Sequence, residues 1–439
     1  MKKILISIIL LAIHIAPALS LPDNEYVVPL CRQFAKELFE PNSAPFLSPT
    51  LSIVNATTNS GFYHTAYVPA KVNKPYFRIS LNLFYGPISN SMRTFSPNIP
   101  SKEFNMQDIL PYIDLNLIQG TIGVKDTVAL LNYMFLNLID MGVKDGSIKF
   151  PEKSATLLGG EGANLIVEDY VLLDLYHKHP VYELLAQYST EMAQEIENIL
   201  KSLVATRHKL EFFLPNGGNL NNIFVGVPQL EIGSLFGTEL LIRFIPKIDM
   251  GTYIGEFSFW GLGLKHSISQ YFYKDKNRDG NNRIKEHIAP FDLAVQAVYQ
   301  RTSLVNSVGV TQSTLSSNTD IYCFNINASK QINNWLEIYS GLNYELLDIT
   351  GKYEYLLPVG LQRQIGLMRE DSTKPGIPII IDPPEFPGDQ EPQTTHIKLS
   401  HSQFKFTFGG AATLGNFTLF LDYSITNFPV LSAGLKFKF

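Results

Sequence analysis

The residues best placed to do chemistry lie between Asp275 and Glu286. Asp275, Asn277 and Asp279 alternate with Lys276 and Arg278, Gly280 follows, and Glu286 stands six positions beyond that glycine. The spacing fits a calcium loop, in which short oxygen-bearing side chains, one backbone carbonyl and a bidentate glutamate surround a single ion while glycine makes the turn. The carbonyl would come from Asn281. Calcium is therefore the one cofactor the sequence admits. Against it, Asn282 stands where an apolar residue usually anchors the loop, Lys276, Arg278, Arg283 and Lys285 dilute the negative field, and flanking helix patterns are lacking. A polar hairpin loop explains the same residues.

A second constellation, His266-Ser267-Ile268-Ser269, places a base near two hydroxyls. It bears a faint likeness to the His and Ser of outer-membrane lipid hydrolases, a remote alternative function. The fuller motifs of those enzymes are missing, as are G-x-S-x-G, H-E-x-x-H, a P-loop and a dinucleotide fingerprint. No catalytic residue is assigned, and an enzyme is not expected. His177 and His179 would be only two ligands for a metal, and ordinary surface histidines explain them as well.

The elements that must carry such groups are strands. In the last ten residues, Leu431, Ala433, Leu435, Phe437 and Phe439 alternate with Val430, Ser432, Gly434, Lys436 and Lys438. A strand with lysines on one face and aromatic-ended apolar residues on the other fits a wall between lipid and a wet lumen. It resembles the closing strand of bacterial outer-membrane barrels, which implies that Leu435, Phe437 and Phe439 form an insertion signal read by the barrel-assembly machinery.

The same two-row alternation recurs upstream. Phe77, Ile79, Leu81 and Leu83 oppose Arg78, Ser80 and Asn82; Leu240, Ile242 and Phe244 oppose Glu239 and Arg243; Phe291, Leu293, Val295, Ala297 and Tyr299 oppose Asp292, Gln296 and Gln300. Tyr322, Phe324 and Ile326 oppose Cys323, Asn325 and Asn327; Leu336, Ile338 and Leu342 oppose Glu337 and Asn343; Phe404, Phe406 and Phe408 oppose Lys405 and Thr407; Leu419, Leu421 and Tyr423 oppose Asp422 and Ser424. The polar rows hold Asn, Gln, Ser and Thr with few charges, which suits a hydrated lumen better than a soluble sandwich.

Strands are expected near 76–86, 228–235, 238–246, 256–272, 290–302, 319–330, 335–351, 400–413, 416–425 and 430–439. Ten is even, as a closed bacterial barrel requires. Short connections at Phe236-Gly237, Gln331 to Asn334 and Leu414-Gly415 would be periplasmic turns, and 303–318 and 352–399 outer loops; Thr426 to Pro429 is short for an outer loop and 273–289 long for a periplasmic turn. Within 87–227, Asp126 to Gly142 and Val181 to His208 show helical spacing, so this stretch reads as an inserted helical subdomain. Extra strands near Ile109 to Ile122 and His208 to Leu214 would raise the barrel to twelve, and fourteen is the outer alternative. A short helix from Glu25 to Phe39 is expected at the barrel floor, and the proline-rich stretch from Asp371 to Gln393 in an exposed loop.

The chain ends and composition agree with export. Met1 to Ser20 has Lys2 and Lys3, an apolar run from Ile4 to Ile15 and a closing Ala18-Leu19-Ser20, the pattern of a cleaved secretory signal. No later segment is apolar enough for a spanning helix. Loss of the leader's two lysines takes the formal charge from -5 to about -7, which argues against nucleic acid as a partner. Cys31 and Cys323 are the only cysteines, one in a helical and one in a strand pattern, so two thiols are expected rather than a disulfide.

Two further segments carry a resemblance: Asn59-Ser60-Gly61-Phe62-Tyr63-His64-Thr65-Ala66, and Pro228-Gln229-Leu230-Glu231-Ile232-Gly233 with Gly237-Thr238-Glu239-Leu240 and Arg243. They resemble a functionally uncharacterised family of Gram-negative outer-membrane barrels, loosely similar to fatty-acid-transport barrels, over about 40–88 and 215–439. The resemblance implies the outer membrane and no catalytic residue.

The expectation is thus an all-β protein: a transmembrane antiparallel barrel of ten to twelve strands with a helical insert. Its units would be a signal peptide (1–20), an N-terminal periplasmic or plug segment (21–75), a first strand (76–86), the insert (87–227) and the main barrel (228–439). Porin-like passage or transport of small or hydrophobic solutes would run along Arg78, Asn82, Glu239, Arg243, Asp292, Gln296, Asn325, Glu337, Asn343, Lys405 and Asp422. The alternative is a plugged structural or adhesive surface barrel. Outer-membrane lipid is the expected partner, and the sequence leaves substrate and oligomeric state open.

Overall fold

The computed structural model describes residues 24–58, 60–70, 72, 74–116, 121–204, 208–249, 255–272, 290–308, 313–368 and 388–439. Strand β1 (Tyr76–Pro87) is followed by three small antiparallel pairs within the insert: β2 (Thr94–Phe95) with β5 (Ser154–Ala155), β3 (Ile113–Asn116) with β4 (Thr121–Val124), and β6 (Asn164–Glu168) with β7 (Lys209–Phe213). Then come β8 (Asn222–Leu235), β9 (Thr238–Asp249), β10 (Glu256–Ser267), β11 (Asp292–Val308), β12 (Ser313–Gln331), β13 (Leu336–Tyr355), β14 (Gln393–Leu414), β15 (Phe417–Ile425) and β16 (Val430–Lys438). β1 and β8 to β16 form a closed antiparallel barrel of ten strands, sealed where β1 pairs with both β16 and β8. Closure leaves no sheet edge to satisfy.

The period-two pattern fixes which side chains face in. The apolar rows read from sequence point outward: Ile79, Leu262, Phe324, Leu342, Phe406, Leu421 and Leu435 are each exposed, whereas Asn82, Gln296, Asn325, Asn343 and Asp422 between them are buried. Aromatic rings gather at two levels of the outer surface. Phe236, Phe272, Phe291, Trp335 and Phe439 stand by the short turns. Phe244, Trp260, Tyr299, Tyr322, Tyr344 and Phe404 ring the other level, with Trp260–Tyr299 at 5.3 Å, Tyr299–Tyr322 at 5.2 Å and Tyr344–Phe404 at 4.8 Å between centroids. Two such girdles bounding an apolar band are the outer-surface pattern of membrane barrels.

Strands β11 to β14 run on past the upper girdle, at 17, 19, 20 and 22 residues. A span needs only about 9–11. On β13 the two faces exchange chemistry at this level. From Leu336 to Leu346 the outward residues are Leu336, Ile338, Ser340, Leu342, Tyr344 and Leu346, and the inward ones include Glu337, Asn343 and Glu345; beyond it, Asp348, Thr350, Lys352 and Glu354 face out, and Leu347, Ile349, Tyr353 and Tyr355 face in and are buried. The projecting wall is therefore polar on its back and apolar on its front.

That front carries a helical head. Helix α1 (Asn24–Thr58) packs with α2 (Thr127–Asp145), α3 (Asp169–Lys178), α4 (Pro180–Tyr188) and α5 (Thr190–Val204) in one apolar core, which takes in Leu315, Ile349, Tyr353, Tyr355 and Ile397 from the wall. Phe34 sits at its centre, 4.8 Å from the Phe135 ring and 4.5 Å from that of Phe212. α2 begins at Asp126, whose carboxylate accepts from the Ala129 N–H at 3.0 Å, and ends at Gly146, where φ of 80° calls for glycine. α6 (Val359–Gln364) clamps wall to head: buried Gln364 donates to the Leu203 carbonyl at 3.1 Å and to that of Lys209.

Several expectations are corrected here. The N-terminal helix does not lie at the barrel floor; α1 sits at the opposite end, because its buried face (Val27, Leu30, Phe34, Leu38) matches the head's core. It also runs to Thr58 through Pro29, Pro41, Pro45 and Pro49. The strand pairs inside the insert pair among themselves, so the barrel has ten strands and neither twelve nor fourteen. The stretch 303–318 is mostly strand, β11 reaching Val308 and β12 starting at Ser313, whereas 352–399 is strand only at its two ends, to Tyr355 on β13 and from Gln393 on β14. The helical stretch after Val181 breaks at Ser189. Thr426 to Pro429 stays short, with Phe428 buried in the barrel mouth. Cys31 and Cys323 are both buried and not disulfide-linked, and burial pushes the Cys31 thiol up to about 12. The signal-like stretch 1–20 and most of the proline-rich loop lie outside the described residues.

Candidate functional site

Below α1 the chain turns into the lumen. Residues Ser60 to Val68 are all buried there, on the way to Tyr76 at the short-turn end where β1 begins. Small and aromatic residues without periodicity can follow an irregular path only if the wall satisfies their backbone, and it does so from several strands. Asn82 on β1 donates to the Gly61 carbonyl at 3.1 Å, and Ser329 on β12 accepts from the Ala66 N–H at 2.8 Å. Glu337 on β13 accepts from the Thr65 hydroxyl at 2.7 Å, and Asn343 accepts from Tyr63 at 3.4 Å. Lys405 on β14 donates to the Ser60 hydroxyl at 3.4 Å, and Ser234 on β8 donates to the Pro69 carbonyl. Phe62 lies under Arg243, whose guanidinium is 4.1 Å from the ring centroid.

Next to this plug lies a buried ionic cluster. Glu239 accepts from Arg78 at 2.8 Å, Lys265 at 2.5 Å and the Tyr76 hydroxyl at 2.6 Å. Glu231 accepts from Lys436, from Gln229 at 2.6 Å and from Arg78 at 3.4 Å. Lys436 also bonds the plug, with its Nζ 2.8 Å from His64 Nδ1, and the His64 ring stacks on Phe420 at 5.7 Å. Across the lumen Lys405 pairs with Glu345 at 2.5 Å. Burying ion pairs gains little net stability over apolar packing, but removing one partner leaves an uncompensated charge and is costly.

All eleven residues expected to line the lumen face inward. Arg78, Glu239, Arg243 and Glu337 hold the plug or its ionic cluster, as do Asn82, Asn343 and Lys405; Gln296 accepts from Asn325 at 3.0 Å, Tyr339 donates to Asp422 at 2.9 Å, and Asp292 is buried at the short-turn end. They bound a filled lumen rather than an open passage. Glu231, Lys265, Glu345, Lys436 and His64 were not among the lining residues expected from sequence. The signal was there: each of the four strand residues continues the alternation of its own strand, and a charge in an inward row needs a partner.

The other candidates do not converge. His266 bonds Thr238 at 2.8 Å and Tyr271 at 2.9 Å on the outer side, while Ser267 faces the lumen, so the two form no base–hydroxyl pair. His177 pairs with Glu197 at 3.3 Å on the surface. His179 is buried, accepts from the Val181 N–H at 3.1 Å through Nδ1, and is held down at about 4 by burial. Among the described residues no three His, Cys, Asp or Glu side chains gather to hold a metal. Asp275, Asn277, Asp279, Asn281 and Glu286 lie outside the described residues. In the insertion signal, Leu435 and Phe439 are exposed outward, and the Phe437 ring packs 4.8 Å from Phe417.

One family profile matches residues 1–439 in full. The chain belongs to DUF6588, a family of unknown function. No curated protein matches it. Among solved structures, Ail, the attachment invasion locus protein of Yersinia pestis, is similar at 11% identity over 46% of this chain and 93% of its own, with a TM-score of 0.19. The outer membrane protein opdK of Pseudomonas aeruginosa is similar at 8% identity over 84% and 99%, with a TM-score of 0.11. OccAB2 of Acinetobacter baumannii gives 8%, 84%, 99% and 0.10. At these scores nothing of those proteins transfers to the DUF6588 chain.

Proposed function

We propose that this DUF6588 chain is an outer-membrane surface barrel, closed by its own N-terminal segment, that holds a helical head at the membrane surface in a structural or adhesive role and is not an enzyme. The observation that carries this reading is the burial of Ser60 to Val68 in the lumen, bonded to the wall on several strands. Porin-like passage of small or hydrophobic solutes would require that segment to move aside. The two aromatic girdles support lipid as the partner around the barrel, and the outward Leu435 and Phe439 support assembly through the C-terminal strand.

The orientation follows from connection lengths, short turns lying in the periplasm and the head outside. On intact cells, a membrane-impermeant amine reagent should label Lys144, Lys178 and Lys201 of the head, all well exposed. Proteoliposomes at neutral pH should swell in sugar solution no faster than protein-free ones. A head protected on intact cells, or rapid swelling, would overturn the reading.

A further inference from the structure

The head carries a cleft of about 440 Å³ lined by neither the plug nor the wall. Gln33 and Glu37 of α1 form one side, Asp126 and Asn132 at the start of α2 and within it a second, and Lys102 and Tyr112, between β2 and β3, the third. The sides are tied to one another. The Lys102 N–H donates to the Leu136 carbonyl at 3.2 Å, and the Lys102 carbonyl accepts from Asn137 at 2.7 Å, both on α2. The Tyr112 carbonyl accepts from the Lys125 N–H at 2.8 Å, and the Tyr133 hydroxyl of α2 bonds the backbone of Asn105 at 2.8 and 3.0 Å. Asn132 crosses to α1 and donates to Glu37 at 2.9 Å. The cleft is therefore preformed, and a preformed site spares its ligand the cost of ordering it.

The groups left unused on the lining select the ligand. Asn132 is 8% exposed, and among the described residues its Oδ1 has no hydrogen-bond partner, a state rare for a buried amide oxygen. Glu37 takes both Asn132 and Gln33 on Oε1, at 2.9 and 2.8 Å, and Asp126 takes the Ala129 N–H on Oδ1 at 3.0 Å, so each carboxylate keeps a second oxygen for another donor. Lys102 pairs with Asp108 at 2.9 Å and stands 4.9 Å from the Tyr133 ring centroid. The half-buried Tyr112 adds an apolar ring with a polar tip. Glu37 and Asp126 oppose an anion in this space, and Lys102 opposes a cation. A sugar is neutral, its adjacent hydroxyls donate and accept in pairs, and its C–H face suits an aromatic ring. The volume also lies in the range of small-molecule sites, about 300–1,000 Å³.

We infer that this cleft binds a neutral sugar, with Glu37, Asp126 and Asn132 accepting from its hydroxyls and Tyr112 packing on its ring. The inference names the partner for the adhesive role and rests on the reading that the head stands outside the membrane. The test is calorimetry of the full chain, in a detergent without a sugar headgroup, with chitobiose, cellobiose, lactose and maltose at millimolar concentration. At least one should bind wild type. Asn132→Leu keeps the side-chain volume and removes the amide, so the affinity should fall by about tenfold or more. Tyr112→Ala, at a half-buried position, should weaken binding similarly and decides the matter alone if the Asn132 variant fails to fold. No binding of any of the four sugars overturns the inference, as does undiminished binding by both variants. Heat from calcium chloride with none from the sugars gives the cleft to a cation and overturns it too. A head that is labelled on intact cells but binds no sugar removes this inference alone, whereas sugar binding by a head protected on intact cells removes the surface-barrel reading and leaves the cleft.

Discussion

Gly341 on β13 and Tyr63 of the plug meet so closely that a Cβ on the glycine would lie 1.9 Å from the tyrosine hydroxyl oxygen. No rotamer change of Gly341 can relieve such a contact, so the wall carries glycine where the plug needs room. Gly341→Val should push Tyr63 out of its place beside Asn343. Overpacking of this kind costs about 1–3 kcal/mol. The temperature at which the folded form converts to the slower-migrating form on gels should fall by several degrees, and an unchanged transition would show that the plug does not occupy the lumen in solution.

The exchange of faces on β13 predicts a depth profile. Leu342 is outward within the apolar band, and Thr350 is outward on the projecting wall. Leu342→Lys should destabilise the inserted barrel by about 2–4 kcal/mol, and Thr350→Lys by about 0–1 kcal/mol. Chemical denaturation in lipid vesicles measures both. Equal costs at the two sites would place the membrane boundary elsewhere.

Acid should loosen the head through His179. Its folded value lies near 4, below the ordinary 6.5, because burial disfavours the imidazolium. The folded state therefore binds the proton later than the unfolded one: stability is full above about pH 6.5 and is lost as pH falls from 6.5 towards 4. Protonation of Nδ1 also removes the acceptor for the Val181 N–H at the start of α4. Protection of the Val181 to Leu185 amides against hydrogen exchange, taken relative to the intrinsic rate at each pH, should fall from pH 7 to pH 5, and in His179→Asn, which keeps a capping acceptor, the fall should largely vanish. Identical pH dependence in both proteins would remove His179 from the account.

The barrel was legible because alternation is a property of the strand itself. Phe404, Phe406 and Phe408 against Lys405 and Thr407 assign their faces without any knowledge of neighbours. The outer ends of β11 to β14 were hidden because alternation continues there with its chemistry reversed: Lys352 and Glu354 look like a loop until the head is known to cover Tyr353 and Tyr355. The extent of α1 was hidden by Pro41, Pro45 and Pro49, where tertiary burial overrides local preference. The plug has no period at all; its path is set by partners such as Ser329 and Glu337, distant in sequence from the residues they hold.

The central claim is that the lumen is occupied by the chain itself, and reactivity of an introduced thiol tests it most directly. In a background with Cys31→Ser and Cys323→Ala, Asn325→Cys places the thiol in the lumen and Asp348→Cys places one outside on the projecting wall. With a small charged methanethiosulfonate at neutral pH, position 348 should react within seconds and position 325 slower by at least about two orders of magnitude, as a core thiol does. Equal rates at the two positions would mean an open, water-filled lumen and would contradict the account.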